Sequence, residues 1–427
     1  MTTISRVTGW IERFRKSTLL RRMGALTTGT VIAQAIQLLN LVVLAKFYPL
    51  SDVGIYSVFF AVVGTLTPVA MLGYEMLIPA VPDAEVRPYL KSVVLLPIPM
   101  ALLIAVTALL LGYDHWAAIA PWIAGAAIQR LGEMYNVRRN RFGRVAAARL
   151  LPALLMSGVL ASLIVSRRGD INAMIAWQAG LVFLLGISYT SFSLPLRELT
   201  ASDRWRDMVK TLRNAANAPL FLMPSNVLNL IAYNVPVVVI GKWFSPDLAA
   251  QYAYVLRFGF GPVSLIGGTL YQVFYGLLTE AVRDQNEVLF QQFARARRVI
   301  FFAALAATLG IAFTYPIGFQ LLLGPQWIIA GWISVIFAPF FGAMIYLTPL
   351  SVSLNTFNRQ YYDLKTQIHY LAISIFSFGT AIAVHNSWIG FMLFSWLGCL
   401  RYAILLRYIN VILIENKVIP DGGGKAA

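Results

Sequence analysis

Apolar stretches of about twenty residues or more recur twelve times along this chain, and no other feature limits its fold as tightly. A helix rising 1.5 Å per residue needs about 20 mainly apolar residues to cross the hydrocarbon core of a bilayer. Stretches of that kind fall at roughly 24–48, 52–80, 89–111, 116–137, 145–166 and 172–196, then at 217–242, 247–282, 299–323, 329–357, 364–384 and 387–409. No water is present in that core, so the backbone must satisfy its own hydrogen bonds, which makes each stretch a helix. The expected fold is an all-α polytopic membrane protein of about 12 transmembrane helices. Composition agrees, with 59% hydrophobic and 12% charged residues against roughly 25% charged in a soluble domain.

The charges give the spans a direction. Cytoplasmic loops collect Lys and Arg. With the N-terminus inside, the inner segments hold 29 of the 34 Lys and Arg. The outer turns hold only Lys46, Arg167, Arg168 and Lys242, and Arg257 is left inside a span. One helix more or fewer would scramble that asymmetry, so both termini are expected in the cytoplasm. The net charge of +16 then faces the anionic inner leaflet and its membrane lipids. In a soluble chain it would have suggested a nucleic-acid partner, and here no nucleic acid is expected.

The polar interval 197–216, carrying Arg197, Asp203, Arg204, Arg206, Asp207 and Lys210, reads as a cytoplasmic linker between a six-helix bundle at 23–196 and another at 217–409. Residues 410–427 form a cytoplasmic tail ending in a glycine run. Residues 1–22 place Ile4, Val7, Trp10, Ile11 and Phe14 at helical spacing among Arg6, Arg13, Arg15 and Lys16. That is the pattern of an amphipathic segment lying on the membrane surface, and no cleavable signal peptide is visible. Shifting the first half by 196 residues lays Lys46-Phe47-Tyr48 over Lys242-Trp243-Phe244, Tyr56 over Tyr252, Thr30 over Asn226 and Gln37 over Tyr233. Two parallel six-helix repeats follow, and such repeats in transporters usually enclose a site at their interface.

Ionisable groups in hydrocarbon are costly, which makes each one a functional candidate. Arg257 lies about ten residues into the eighth span. At 100° per residue it shares a face with Tyr254, Gly261, Ser264, Gly268 and Tyr271. Small neighbours leave room for a large group beside the guanidinium, whose planar fork suits a phosphate or carboxylate. The same position could instead hold an ion pair between helices. Glu75, ending the second span, could pair with a cavity arginine, carry a proton or bind a cation. Arg130 and Glu133 lie one turn apart and could satisfy each other. Arg401 in the last span is expected to snorkel inward, and Lys365 and His369 sit near the start of the eleventh. Gln34 and Gln37, with Thr27 and Thr30, form a polar stripe on the first span, and Asn226, Asn229 and Tyr233 form one on the seventh. Stripes of this kind are interhelical hydrogen bonds or a cavity wall. Glycines and a proline at 259–268 predict a bend or an extramembrane part in the eighth stretch.

Catalytic motifs are absent: no P-loop, HExxH pair or nucleophile elbow occurs. A single cysteine, Cys399, and three scattered histidines, His115, His369 and His385, give no metal framework. Neither an enzyme activity nor a cofactor is expected.

The segment from Gly24 to Val81, GALTTGTVIAQAIQLLNLVVLAKFYPLSDVGIYSVFFAVVGTLTPVAMLGYEMLIPAV, resembles the start of bacterial polysaccharide flippases of the Wzx type. The likeness rests on the glycine-threonine-glutamine first helix, the aromatic-Pro-Leu-Ser-Asp-Val-Gly-Ile-Tyr turn, and the Tyr74-Glu75 pair. These flippases share the MOP superfamily with MATE drug-extrusion proteins and lipid II flippases. The resemblance implies two six-helix repeats facing each other in a V, alternating access, and a place in the bacterial cytoplasmic (inner) membrane. It implies as substrate a polyprenyl-pyrophosphate-linked oligosaccharide for O-antigen, capsule or exopolysaccharide, and other polysaccharide-assembly membrane proteins as partners. Basic cavity residues would hold the pyrophosphate, which singles out Arg257, with Arg130 and Arg401 behind it. Gln34, Gln37, Asn226, Asn229 and Tyr233 would line the sugar path. Two other readings stand beside it. A MATE-like drug/cation antiporter would need acidic lumen residues, for which only Glu75 and Glu133 are evident. A membrane glycan-modifying enzyme would need outer loops larger than the few residues found here.

Overall fold

The computed structural model describes residues 18–79, 81–166, 170–194, 205–216, 218–357, 359, 361–416 and 418. Residues 1–17 of the expected amphipathic segment, Arg167, Arg168, Arg197, Asp203, Arg204 and the tail beyond 418 lie outside the described residues.

Every described element is helical. In chain order they are α1 (Thr18–Phe47), α2 (Leu50–Leu66), α3 (Asp83–Val94), α4 (Pro97–Leu110), α5 (Trp116–Arg138), α6 (Phe142–Val165), α7 (Ile171–Ser193), α8 (Trp205–Asn214), α9 (Met223–Trp243), α10 (Pro246–Arg283), α11 (Glu287–Leu323), α12 (Ile328–Leu350), α13 (Val352–Thr356), α14 (Tyr361–Ala383) and α15 (Ser387–Glu415). Polar residues in the turns start several of them by accepting otherwise unpaired amide N–H groups. Asp170 caps α7, Ser245 caps α10 with Pro246 at its first position, Asn286 caps α11 and Asn386 caps α15.

Eight helical segments among the described residues are long and apolar enough to cross a membrane. The chain is therefore a multi-pass membrane protein. The four remaining segments of the expected twelve are α5, α9, α10 and α14. These are also long helices, and they carry several of the polar candidates: Arg130 and Glu133, Asn226 and Asn229, Arg257, and Lys365 with His369. A helix that is less apolar all round is one whose polar side must avoid lipid. Helix α10 runs unbroken for 38 residues despite its glycines and proline. At 1.5 Å per residue it is about 57 Å long, so it projects beyond a core of about 30 Å, as its length in the sequence implied. Its glycines serve packing instead: Gly259 sits against the Phe341 ring and Gly267 against Thr348.

By contacts the chain forms two units. The first comprises the described residues up to Tyr48 with Val62–Val227; the second comprises Pro49–Ala61 with Leu228 onward. Helices α2 and α9 thus each give one part to either unit. In the first unit α5 packs along α7 and α1 along α6. Gly125 of α5 lies where a Cβ would meet the Phe183 Cα at 2.5 Å, the small-residue contact by which helices approach closely in lipid. In the second unit α12 is the central helix, packed by α10, α11 and α15. Phe337, Phe340, Phe391 and Phe394 are fully buried around Tyr252, whose ring stacks on Phe391 at 5.4 Å. Aromatic pairs of this kind add stability beyond their buried area.

Candidate functional site

Helix α2 does not continue to the end of its apolar stretch. It tightens into a 3₁₀ turn at Thr67–Met71, reverses through Leu72 (φ +52°) and Gly73 (φ +76°), and ends in a second 3₁₀ turn at Tyr74–Leu77. Gly73 is demanded twice over. Its φ suits glycine, and a Cβ there would stand 3.1 Å from the Ala218 carbonyl oxygen and the Met223 amide. The reversal turns Glu75 inward, where it is 4% exposed.

Three anchors hold this turn. The Tyr89 hydroxyl of α3 donates to the Tyr74 carbonyl at 2.7 Å. The Tyr74 hydroxyl donates to the Leu212 carbonyl of α8 at 3.2 Å. The Arg138 guanidinium, at the end of α5, donates to the carbonyls of Ile78 and Val81 and pairs with Asp83 at 2.6 Å.

Beside the turn lies a cavity of about 380 Å³ within the first unit, lined by Glu75, Thr67 and Met71, by Trp122, Arg130 and Glu133 of α5, and by Asn226 of α9. Arg130 and Glu133 do satisfy each other: Nη1 meets Oε2 at 3.1 Å. Glu133 also accepts from the Gln129 amide at 3.3 Å. Arg130 keeps 43% of its side chain exposed. The Glu75 Oε2 atom is buried and has no donor.

Arg257 belongs to the second unit and to different surroundings. Its guanidinium carbon lies 4.5 Å from the Phe60 ring centroid and 5.8 Å from that of Tyr56. Among the described residues no carboxylate pairs with it, so an ion pair between helices is not what holds it. Cation–π contacts of this sort are worth about 0.5–2 kcal/mol, and they leave the edge of the guanidinium able to donate. Of the face expected around Arg257, Gly261 and Gly268 do border open space, and Ser264 turns its hydroxyl onto the Gly261 carbonyl. Tyr254 leaves that face, fully buried against Trp327 at 4.3 Å. Tyr271 accepts from the Asn355 amide.

The remaining polar residues divide. Asn229 donates to Gln367 of α14 at 2.8 Å, and Tyr233 packs on Phe260 at 4.5 Å, so the stripe on α9 serves both units. On α1, Gln34 is half-buried and Gln37 exposed. Thr30 accepts from Arg149 of α6 at 2.8 Å. Arg149 escaped the sequence reading, although its place eight residues into a helix is the signal that singled out Arg257. Arg401 corrects an expectation. It does not snorkel, being 7% exposed. Its Nε donates to the Thr366 carbonyl at 3.0 Å, and its guanidinium lies against Tyr370 and Tyr402 at 4.7 and 4.9 Å. The aromatic core closes over it because rings and a carbonyl together replace its water.

Comparison with known proteins adds the ancestry. Residues 114–330 match the sequence profile of a family described as polysaccharide biosynthesis protein. No curated protein matches the chain in sequence. Several solved structures share the fold. A lipid II flippase, MurJ, in an inward closed conformation is 13% identical, with a TM-score of 0.68 over 92% of this chain and 90% of that one. A MATE family multidrug resistance transporter of the MOP superfamily, inward-facing, is 14% identical with a TM-score of 0.65 over 95% and 100%. The Vibrio cholerae MATE transporter VcmN is 16% identical with a TM-score of 0.54 over 94% and 97%.

Proposed function

We propose, from the premise that the chain belongs to the polysaccharide biosynthesis protein family, that it is a flippase. It carries a polyprenyl-pyrophosphate-linked oligosaccharide from the inner to the outer leaflet of the bacterial cytoplasmic membrane by alternating access, with both termini inside. The family supports a glycan cargo and the shared fold supports a transporter. The observation that carries the substrate is Arg257, a membrane-embedded cation held by the rings of Phe60 and Tyr56 on a helix face left open by Gly261 and Gly268. An arginine placed by neutral groups keeps its charge for a ligand, and the pyrophosphate is the anion of such a substrate.

Arg130 and Arg401 rank below it. Glu133 already compensates Arg130, and the aromatic core encloses Arg401. Asn226, Gln34 and Gln37 remain candidates for sugar contact.

Deletion of the gene tests this reading. Surface polysaccharide should be lost, and lipid-linked repeat units should accumulate on the cytoplasmic leaflet, where a membrane-impermeant glycan oxidant added outside cannot reach them. The acidic cavity with the undonated Glu75 oxygen favours the antiporter as second reading. Intact surface polysaccharide together with new sensitivity to cationic drugs would put that reading first.

A further inference from the structure

Glu75 poses a problem of charge that the flippase reading does not address. It is buried, it lines the cavity of the first unit, and one of its carboxylate oxygens has no hydrogen-bond donor. A buried ion without a partner costs several kcal/mol. Its natural counter-ion is close by, for Arg130 lines the same cavity, yet Arg130 is bonded to Glu133. Glu133 has a reserve donor in the Gln129 amide, and the Glu75 Oε2 atom has none. The two carboxylates are therefore unequal: one can keep its charge without the arginine, the other cannot.

We propose that this cavity is a one-proton site operated by exchange of Arg130 between two carboxylates. In the arrangement seen, Glu75 is the neutral acid and Arg130 holds Glu133. When Glu75 gives its proton to water in the cavity, Arg130 swings from Glu133 to Glu75, and Gln129 keeps Glu133 bonded. One proton leaves and the three groups pass from net zero to one net negative charge: Arg130 then pairs with Glu75, and the added charge rests on Glu133, which keeps the Gln129 amide as its donor. The exposed side chain of Arg130 leaves it free to move, whereas Arg138, Tyr89 and Leu212 clamp the turn that carries Glu75. The swing thus falls on the arginine and not on the backbone. A metal cation is disfavoured because among the described residues no group of three acidic, histidine or cysteine side chains is gathered there. Of the other titratable groups on the elements packed about the turn, α3 carries Glu85, Arg87 and Lys91, α8 carries Arg206, Asp207, Lys210 and Arg213, and others are engaged. Arg138 holds Asp83, Arg139 lies over the Tyr135 ring, and the hydroxyls of Tyr74 and Tyr89 donate to carbonyls.

The proposal goes beyond glycan transport and is measured without any glycan, so its failure and the failure of the flippase reading are separate results. Infrared difference spectra of the purified protein in lipid nanodiscs, recorded from acid to alkaline pH, report the carbonyl stretch of protonated carboxylic acids. The wild type should lose one such band as pH rises, and Glu75→Gln should lack it. In Glu133→Gln the competitor for Arg130 is gone, so the band should vanish at a pH lower by about one unit or more. In Arg130→Gln the counter-ion is gone, so the band should persist to higher pH. If Glu75→Gln does not fold, the opposite shifts of the other two variants decide the matter. A wild type without a titrating band, a band that survives Glu75→Gln, or a midpoint unmoved by Glu133→Gln overturns the proposal. So does a midpoint pH that shifts with sodium or potassium at fixed ionic strength, which would make this a metal-cation site.

Discussion

The two units solve the same problem, polar groups inside a membrane, in opposite ways. In the first unit the polar side chains of α5 surround open volume, and the charges there are acidic with one arginine among them: Glu75, Glu133 and Arg130 border a cavity. In the second unit the interior is filled. Rings from α10, α12, α14 and α15 pack around Tyr252 and Phe394 in stacked, tilted and edge-to-face pairs. Three arginines of that unit have neutral partners: Arg401 has a carbonyl and two tyrosines, Arg297 has the Tyr346 hydroxyl and the Asn410 amide oxygen, and Arg257 has two rings. Sequence repeats suggested equivalent halves. The chemistry inside the two contact units is not equivalent, and the difference teaches that bundles of similar helices can fill or hollow their interiors independently.

If that contrast is correct, the arginines of the second unit should separate by what surrounds them. Arg401→Ala should be the most damaging change, destabilising the protein by about 3 kcal/mol. It removes the bond to the Thr366 carbonyl and leaves a void among rings, and a void of that kind costs on that scale. Thermal unfolding in detergent measures this, and export should fall only in step with the folded fraction. An Arg401→Ala protein of normal stability would mean the core is looser than its packing indicates.

Arg257→Ala should do the reverse, leaving folding nearly intact while substrate affinity drops about ten- to a hundredfold. Charge-assisted hydrogen bonds are worth about 1.5–3 kcal/mol, and 1.4 kcal/mol is tenfold. Arg257→Lys should retain part of the activity, since it keeps the charge and loses the fork. Binding of the lipid-linked substrate to purified variants, measured beside their melting temperatures, tells the two arginines apart.

The first unit is sharpened by Gly73→Ala, which should cost about 1–3 kcal/mol because a non-glycine residue would be held at positive φ against the Ala218 carbonyl. The measurement is again thermal unfolding. A neutral result would show that the turn carrying Glu75 can relax. Smallest of all should be Gly261→Ala and Gly268→Ala. With nothing within 4 Å of either added Cβ, the better helix propensity of alanine should leave stability unchanged or raised by up to about 1 kcal/mol. A marked loss of stability in either variant would mean that this face of α10 is covered.

Much of this protein is set by its sequence alone. Twelve apolar stretches, the polar interval between the sixth and seventh, and the depth of Arg257 could each be read directly, because hydrophobic length and the cost of burying charge are local properties of a segment. The Arg130–Glu133 pair was legible for the same reason, three residues apart on one helix. Tertiary structure alone decided the rest. Nothing local says that Asn226 borders a cavity while Asn229, one turn later on α9, is spent on Gln367 of α14. Nothing local says that Arg401 is sealed among rings, that Arg149 reaches Thr30, or that Glu75 is turned inward with an oxygen undonated. Each of those outcomes is a competition among partners distant in the chain, and the winner is the arrangement of lowest free energy that the packed helices bring within hydrogen-bonding reach.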